Sequence, residues 1–207
     1  MRAPVVGLVE TLTETNEEGT EVSRDAIVCS AVKLSPEFLL TAAHCITSEF
    51  DQETQTKKTI GVEVRYYDEY VDRMVRTGVV AKFDDDIDLA LIRVHTVCPC
   101  APLASSDPKV DEQVYAVGYP LGPDTNGIQT LTEGRWQGNI DDQFQLTSAF
   151  VIFGNSGGAL YNSRGELIGI VQQIMSHGDG MFSPFTLVGE MSLSARLDVI
   201  KRFADGF

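Results

Sequence analysis

Apolar and polar residues alternate from Val5 to Thr13, and that period of two predicts a β-strand. Residues 14–25 are polar and acidic around Gly19, which reads as a solvated loop or wide hairpin. A second strand is predicted over Ile27 to Leu34, a turn at Ser35-Pro36-Glu37, and a third strand over Phe38 to Thr41. Residues 47–58 read as a polar loop. Ile60 to Tyr67 and Met74 to Phe83 read as paired strands, with Tyr66, Tyr67 and Tyr70 as surface aromatics. Asp84-Asp85-Asp86 has the look of a solvated turn, whereas Asp88 opens an almost unbroken apolar run from Leu89 to Val94.

The pattern then breaks. His95 to Val110 carries Pro99, Pro102 and Pro108 and reads as a connector between two lobes. Strand-length segments follow at Gln113–Tyr119, Ile128–Trp136, Gln143–Thr147, Ala159–Tyr161, Glu166–Ile174 and Phe185–Val188. Such spacing with turn signals suggests a barrel or a sandwich. From Ser192 to Phe203 the period becomes helical, with Leu193, Leu197, Ile200 and Phe203 on one face. Ser192 or Ser194 would cap that helix and Gly206 would stop it.

Composition narrows the class. The chain has 207 residues, 43% hydrophobic and 22% charged, ordinary proportions for a globular protein. Its formal net charge of −14 repels nucleic acid and anionic membrane, so neither is an expected partner. No run approaches the ~18 apolar residues of a membrane span. Met1 to Gly7 is too short and mixed to read as a secretory signal.

The candidate chemistry centres on Gly154-Asn155-Ser156-Gly157-Gly158. Glycines are tolerated where the backbone turns sharply or another chain approaches closely. Here they would expose the Ser156 hydroxyl and free the N–H groups of Gly154 and Ser156 to bind an oxyanion. The plainer alternative is a glycine-rich turn that happens to hold a serine. Only three histidines could serve as a base: His44, His95 and His177. His95 and His177 read as surface residues and make no metal site. Asp88, at the head of an apolar run, needs a hydrogen-bond donor, which the His44 imidazole could supply.

With Thr41-Ala42-Ala43-His44-Cys45, Asp88-Leu89-Ala90-Leu91-Ile92 and Gly154-Asn155-Ser156-Gly157-Gly158-Ala159-Leu160, the chain resembles the chymotrypsin-like serine proteases across residues 4–204. Asn155, Val117 to Gly122 and Gly165 to Ile170 make it most similar to HtrA-type bacterial and viral members without a PDZ domain. The resemblance implies an all-β fold of two six-stranded antiparallel β-barrels with a C-terminal α-helix. Residues 1–99 would carry His44 and Asp88, and residues 100–207 would carry Ser156. It implies a serine endopeptidase in which Ser156 attacks, His44 transfers the proton and Asp88 holds the imidazole. Gly154, Asn155 and Ser156 would form the oxyanion loop. Many relatives have glycines within the second strand, and this chain has none there.

Relatives activated by propeptide cleavage have an aspartate in place of Asn155, which pairs with the new N-terminal amine. Asparagine carries no charge, so this loop must be ordered in another way or by ligand. The resemblance also implies a Cys29–Cys45 disulfide beside His44, and with it an extracytoplasmic or secreted location. A bridge within Cys98-Pro99-Cys100 would be strained, so two thiols or a partner in another chain are the comparable readings there. Phe150 would form the base of the primary pocket, Gln172, Gln173 and Ile174 a substrate-pairing edge, and Gly189 and Glu190 the far wall. Small or medium aliphatic residues would then precede the cleaved bond, although strand register decides whether Glu190 faces the pocket. No cofactor or metal is expected, the partner is a polypeptide substrate, and a monomer is the default state. The rival readings are a latent protease-fold binding module and a self-processing viral or phage protease.

Overall fold

A computed structural model describes residues 4–15, 19–51, 56–59, 63–68, 74–121, 127–175 and 191–207. The first half of the chain forms β1 (Val5–Thr15), β2 (Glu21–Lys33), β3 (Phe38–Thr41), β4 (Thr47–Asp51), β5 (Thr56–Thr59), β6 (Glu63–Tyr67), β7 (Val75–Asp84) and β8 (Leu89–Arg93). The second half forms β9 (Gln113–Gly118), β10 (Thr130–Asn139), β11 (Phe144–Thr147), β12 (Ala159–Asn162), β13 (Leu167–Met175), β14 (Met191–Arg196) and the helix α1 (Leu197–Phe203). Six strands close one barrel in the order β1-β2-β3-β8-β7-β6, and six close another in the order β10-β11-β14-β13-β12-β9. The neighbouring strands are antiparallel, so the expected two-barrel fold is what the chain adopts.

Strand alternation sorts the core. Val6, Leu8, Ala31, Leu39, Tyr66, Ala90 and Ile92 pack inside the first barrel. Val114, Ala116, Trp136, Leu160, Ile168 and Val171 fill the second, where Leu197 closes one end. The opposite faces meet in a shared cluster: Val5, Val32, Leu40 and Leu91 of the first barrel pack with Val117, Ala159, Ile170, Val199 and Phe203 of the second. Residues 94–112 cross between the barrels, and a buried Lys33–Asp68 ion pair anchors the start of that crossing. Thr96 Oγ1 donates to Asp68 (3.2 Å), and Lys33 Nζ also donates to the Val97 carbonyl (3.3 Å).

Several local expectations change. The solvated loop at 14–25 is largely strand: β1 and β2 pair out to Thr15↔Glu21. Its polar residues find partners across the hairpin, where Thr13 and Ser23 lie 2.9 Å apart, and on β6, from which Arg65 forks onto Asp25. The polar loop at 47–58 holds the β4–β5 ribbon. Tyr66 is not a surface aromatic; it is 1% exposed, inside the first barrel.

Ser192 to Arg196 is strand rather than helix, because β14 pairs with both β11 and β13 and is needed to close the second barrel. The helix therefore begins at Leu197, with Arg196 rather than a serine at its cap. His95 is exposed, as expected. Tyr70, His177 and the Phe185–Val188 segment lie outside the described residues.

Candidate active site

His44 sits in a single 3₁₀ turn, Ala43–Cys45, directly after β3. Two links fix that turn to the first barrel. Cys45 is disulfide-bonded to Cys29 of β2 (Cα–Cα 5.9 Å), and the His44 backbone N–H donates to Asp88 Oδ1 (2.8 Å). The ring Nδ1 lies 2.8 Å from Asp88 Oδ2 and 3.1 Å from Oδ1. An ionised carboxylate only accepts, so Nδ1 carries the hydrogen and a neutral ring keeps Nε2 as acceptor.

Asp88 ends the tight turn before β8 with a left-handed backbone (φ 52°), a region that aspartate tolerates better than most residues. The acidic run ahead of it is more than a solvated turn. Asp84 Oδ1 accepts from the N–H groups of Asp86 (3.1 Å) and Ile87 (3.3 Å) and shapes the approach. From the other barrel, Gln172 Nε2 donates to the carbonyls of Ile87 (2.9 Å) and Asp88 (2.7 Å).

Ser156 lies on the second barrel, in the turn leading into β12. Its carbonyl oxygen is 3.5 Å from the Cys45 sulfur, next in sequence to His44. Gly157 has a φ of +78°, and a Cβ there would sit 2.1 Å from both the Ser30 carbonyl and Thr41 Oγ1. Only glycine lets this turn press against the first barrel.

The backbone groups of the loop divide sharply. The Phe153 carbonyl accepts from Leu121 N (2.7 Å), the Gly154 carbonyl from Ser30 Oγ (2.7 Å), the Asn155 carbonyl from Gly158 N (2.8 Å) and the Ser156 carbonyl from Ser30 N (2.8 Å). The Asn155 N–H donates to Ile152 (3.0 Å) and the Gly157 N–H to Val171 (2.8 Å). The N–H groups of Gly154 and Ser156 find no acceptor among the described residues. Asn155 thus contributes to the loop's internal bonding, and its side chain packs against Gly118.

Phe150 is 46% exposed between buried Ala149 and Val151, so its ring turns outward from the barrel. Phe153 and Leu121, which the pattern did not single out, add further exposed apolar surface next to the unpaired N–H of Gly154. The signal was available in Phe153, an aromatic immediately before the glycine. Gln173 is exposed and Ile174 half-buried on β13. Beyond Ile170, β13 pairs with β14 on one side and has no strand partner on the other among the described residues.

The Gln172 side chain, unlike its backbone, does not belong to the open edge of β13. A bulge between Val171 and Gln173 turns its side chain onto the Asp88 turn, 4% exposed, instead of toward the open edge. Gly189 and Glu190 lie outside the described residues. Cys29, Cys45 and His44 cluster within 4.8 Å, but the two sulfurs are bonded to each other and offer no thiolate to a metal. Cys98 and Cys100 are joined to each other, in place of the expected two thiols or partner in another chain.

Two closed antiparallel barrels, with an imidazole–carboxylate pair on one and a glycine-bracketed serine on the other, define a chymotrypsin-like fold. The sequence matches the family described as "Trypsin-like peptidase domain" over residues 29–170, and the chain belongs to that family. It is 39% identical over 115 residues to the putative serine protease HhoA of Synechocystis, covering 50% of this chain and 29% of that protein. It is 37% identical over 105 residues to the periplasmic pH-dependent serine endoprotease DegQ of Escherichia coli, covering 47% of this chain and 23% of that protein. The chain thus spans less than a third of the length of these curated relatives. Among solved structures, the serine endoprotease from Yersinia pestis shares the fold with a TM-score of 0.68 at 23% identity, over 97% of this chain and 61% of that one.

Proposed function

We propose that the chain is a metal-free serine endopeptidase that cleaves polypeptides through an acyl-enzyme. Ser156 attacks the carbonyl, His44 takes the serine proton and returns it to the leaving amine, and Asp88 stabilises the imidazolium. The N–H groups of Gly154 and Ser156 hold the developing oxyanion, each donor worth about 3–4 kcal/mol in the transition state. One observation carries the reading: the N–H groups of Gly154 and Ser156 have no acceptor among the described residues, in a loop whose carbonyls from Phe153 to Ser156 are all occupied. Buried or half-buried backbone donors are otherwise almost always paired.

Substrate adds as an extended strand along the open side of β13 at Gln172 to Ile174. Exposed Phe150 and Phe153 with half-buried Ile174 favour an apolar side chain before the cleaved bond. Small or medium aliphatic residues fit best. The disulfides suit an oxidising compartment, and the Escherichia coli relative is named periplasmic, so an extracytoplasmic location is part of the proposal. The test is covalent labelling with a fluorophosphonate probe, followed by a peptide-library digest. Wild type should label and cut, and Ser156→Ala should do neither while keeping its fold. Equal labelling of the alanine variant would overturn the assignment.

A further inference from the structure

Ser30 belongs to β2, on the first barrel, and its side chain is fully buried. Strand alternation sends its neighbours Cys29 and Ala31 into the first barrel and points Ser30 with Val32 at the second. A hydroxyl in that apolar seam needs partners, and it has two. The Tyr119 N–H donates to Ser30 Oγ (2.9 Å), and Ser30 Oγ donates to the Gly154 carbonyl (2.7 Å). The first bond occupies a lone pair of the hydroxyl, so its single hydrogen is left for Gly154. Ser30 also donates its backbone N–H to the Ser156 carbonyl (2.8 Å).

One residue of the first barrel therefore holds two of the four carbonyls in the loop of the second. Each carbonyl held outward is one that cannot rotate inward to occupy the place of an oxyanion. Gly154 has no Cβ to resist such a rotation and sits at φ +93°, so its orientation depends on what its carbonyl is bonded to. Asn155 carries no charge and forms no ion pair that could do this work.

We propose that the Ser30 hydroxyl is a positioning group that fixes the oxyanion loop with its carbonyls outward and its N–H groups free before substrate arrives. The proposal rests on the reading of the Gly154 and Ser156 N–H groups as oxyanion donors. Ser30 touches neither substrate nor the reacting atoms. It acts through the Gly154 peptide, and it makes the ordering of this loop a contact between barrels rather than a property of the second barrel alone.

The test uses Ser30→Ala and Ser30→Gly, which remove the hydroxyl and keep the backbone N–H to Ser156. Three quantities are compared with wild type. First, kcat should fall about tenfold to a hundredfold, as for a donor displaced by about an ångström, with KM within about twofold. Second, affinity for a peptide boronic acid, whose tetrahedral adduct uses the oxyanion donors, should fall in parallel. Binding of the matching uncleaved peptide to Ser156→Ala with and without Ser30→Ala should be unchanged. Third, amide hydrogen exchange in the 153–158 segment should accelerate while that of β1 and β2 does not. Unchanged kcat and boronate affinity would overturn the proposal, as would equal losses of boronate and ground-state peptide binding. The exchange measurement needs no turnover. A wild-type protein that labels with no probe would therefore defeat the peptidase reading separately, while faster exchange would still show that Ser30 orders the loop and unchanged exchange that it does not.

Discussion

The two barrels close with the same number of strands but are fastened in different ways. The first is cross-linked: a disulfide ties the His44 turn to β2, and a fully buried Lys33–Asp68 pair ties the end of β2 to the end of β6, with Thr96 and Val97 of the connector bonded to it. The rest of its core cluster is apolar. The second barrel is held by a hydrogen-bonded interior. Gln145, fully buried, accepts from Trp136 Nε1 (2.8 Å) and donates to the carbonyls of Ile168 (2.7 Å) and Ala195 (2.9 Å). Ser192 donates to Ala149 (3.1 Å) within the same barrel. The imidazole–carboxylate pair is thus fixed within one barrel by covalent and charge-assisted links. The serine loop takes its geometry from the other barrel, through Ser30. Gln172 returns the contact, reaching from β13 to the Asp88 turn. Each barrel carries candidate catalytic groups beside contacts that come from its partner.

The contrast can be broken most severely at the buried ion pair. Lys33→Met leaves Asp68 charged in a site with 0% exposure and should cost about 3–5 kcal/mol, read from the urea midpoint at constant m-value. Activity per folded molecule should stay the same, because the pair lies in the connector seam. Next comes the Cys29→Ala/Cys45→Ala double variant. Opening a loop of this size should cost about 3 kcal/mol of stability. It should also lower kcat, since the His44 turn then hangs on β3 and Asp88 alone.

Gln172→Leu probes the reverse contact. Two carbonyls lose their donor, a change worth about 1–3 kcal/mol. Steady-state kinetics should show it mainly in kcat, with little change in KM; a rise in KM alone would mean that the Gln172 side chain contacts substrate instead of aiming Asp88. The smallest effect is at Asp141, in the β10–β11 turn of the second barrel. The N–H groups of Phe144 (2.7 Å) and Gln143 (2.8 Å) bond to its carboxylate and hold it below its ordinary value of 3.8. A lowered folded value means that the stabilisation is complete above that ordinary value and lost as pH falls through the folded one. The difference in melting temperature between wild type and Asp141→Ala should therefore be present at neutral pH and shrink toward zero in strong acid.

Much of this architecture was legible locally. Alternation marked β1, strand-length runs between turn signals marked β2, β3 and most strands of the second barrel, and prolines and a lost period marked the connector. Three short motifs singled out His44, Asp88 and Ser156, and the first two meet at hydrogen-bonding distance. These signals survive in one dimension because each depends on a few consecutive residues: a period, a turn that admits only glycine, an acid at the head of an apolar run.

What the chain order did not contain is where one element ends against another. Ser192 to Arg196 fits a helical period as well as a strand one, and only pairing with β11 and β13 decides between them. Polar stretches at 14–25 and 47–58 become strands because their side chains find partners across a hairpin or their backbones a second strand. Tyr66 goes inward because barrel closure, not its own neighbours, determines which face of β6 is covered. Gln172 turns to Asp88 because a single bulge reverses side-chain direction, and a shift of one residue leaves no mark on composition.

By itself the sequence determined strand-length segments in two lobes and a serine in a glycine turn, since local steric rules specify those, and the resemblance of three short motifs added an acid and a base as candidates. Tertiary structure decided how the lobes aim them. The bonds from Ser30 to Gly154 and from Gln172 to Asp88 join residues 124 and 84 positions apart, and contacts of that range exist only after both barrels have closed.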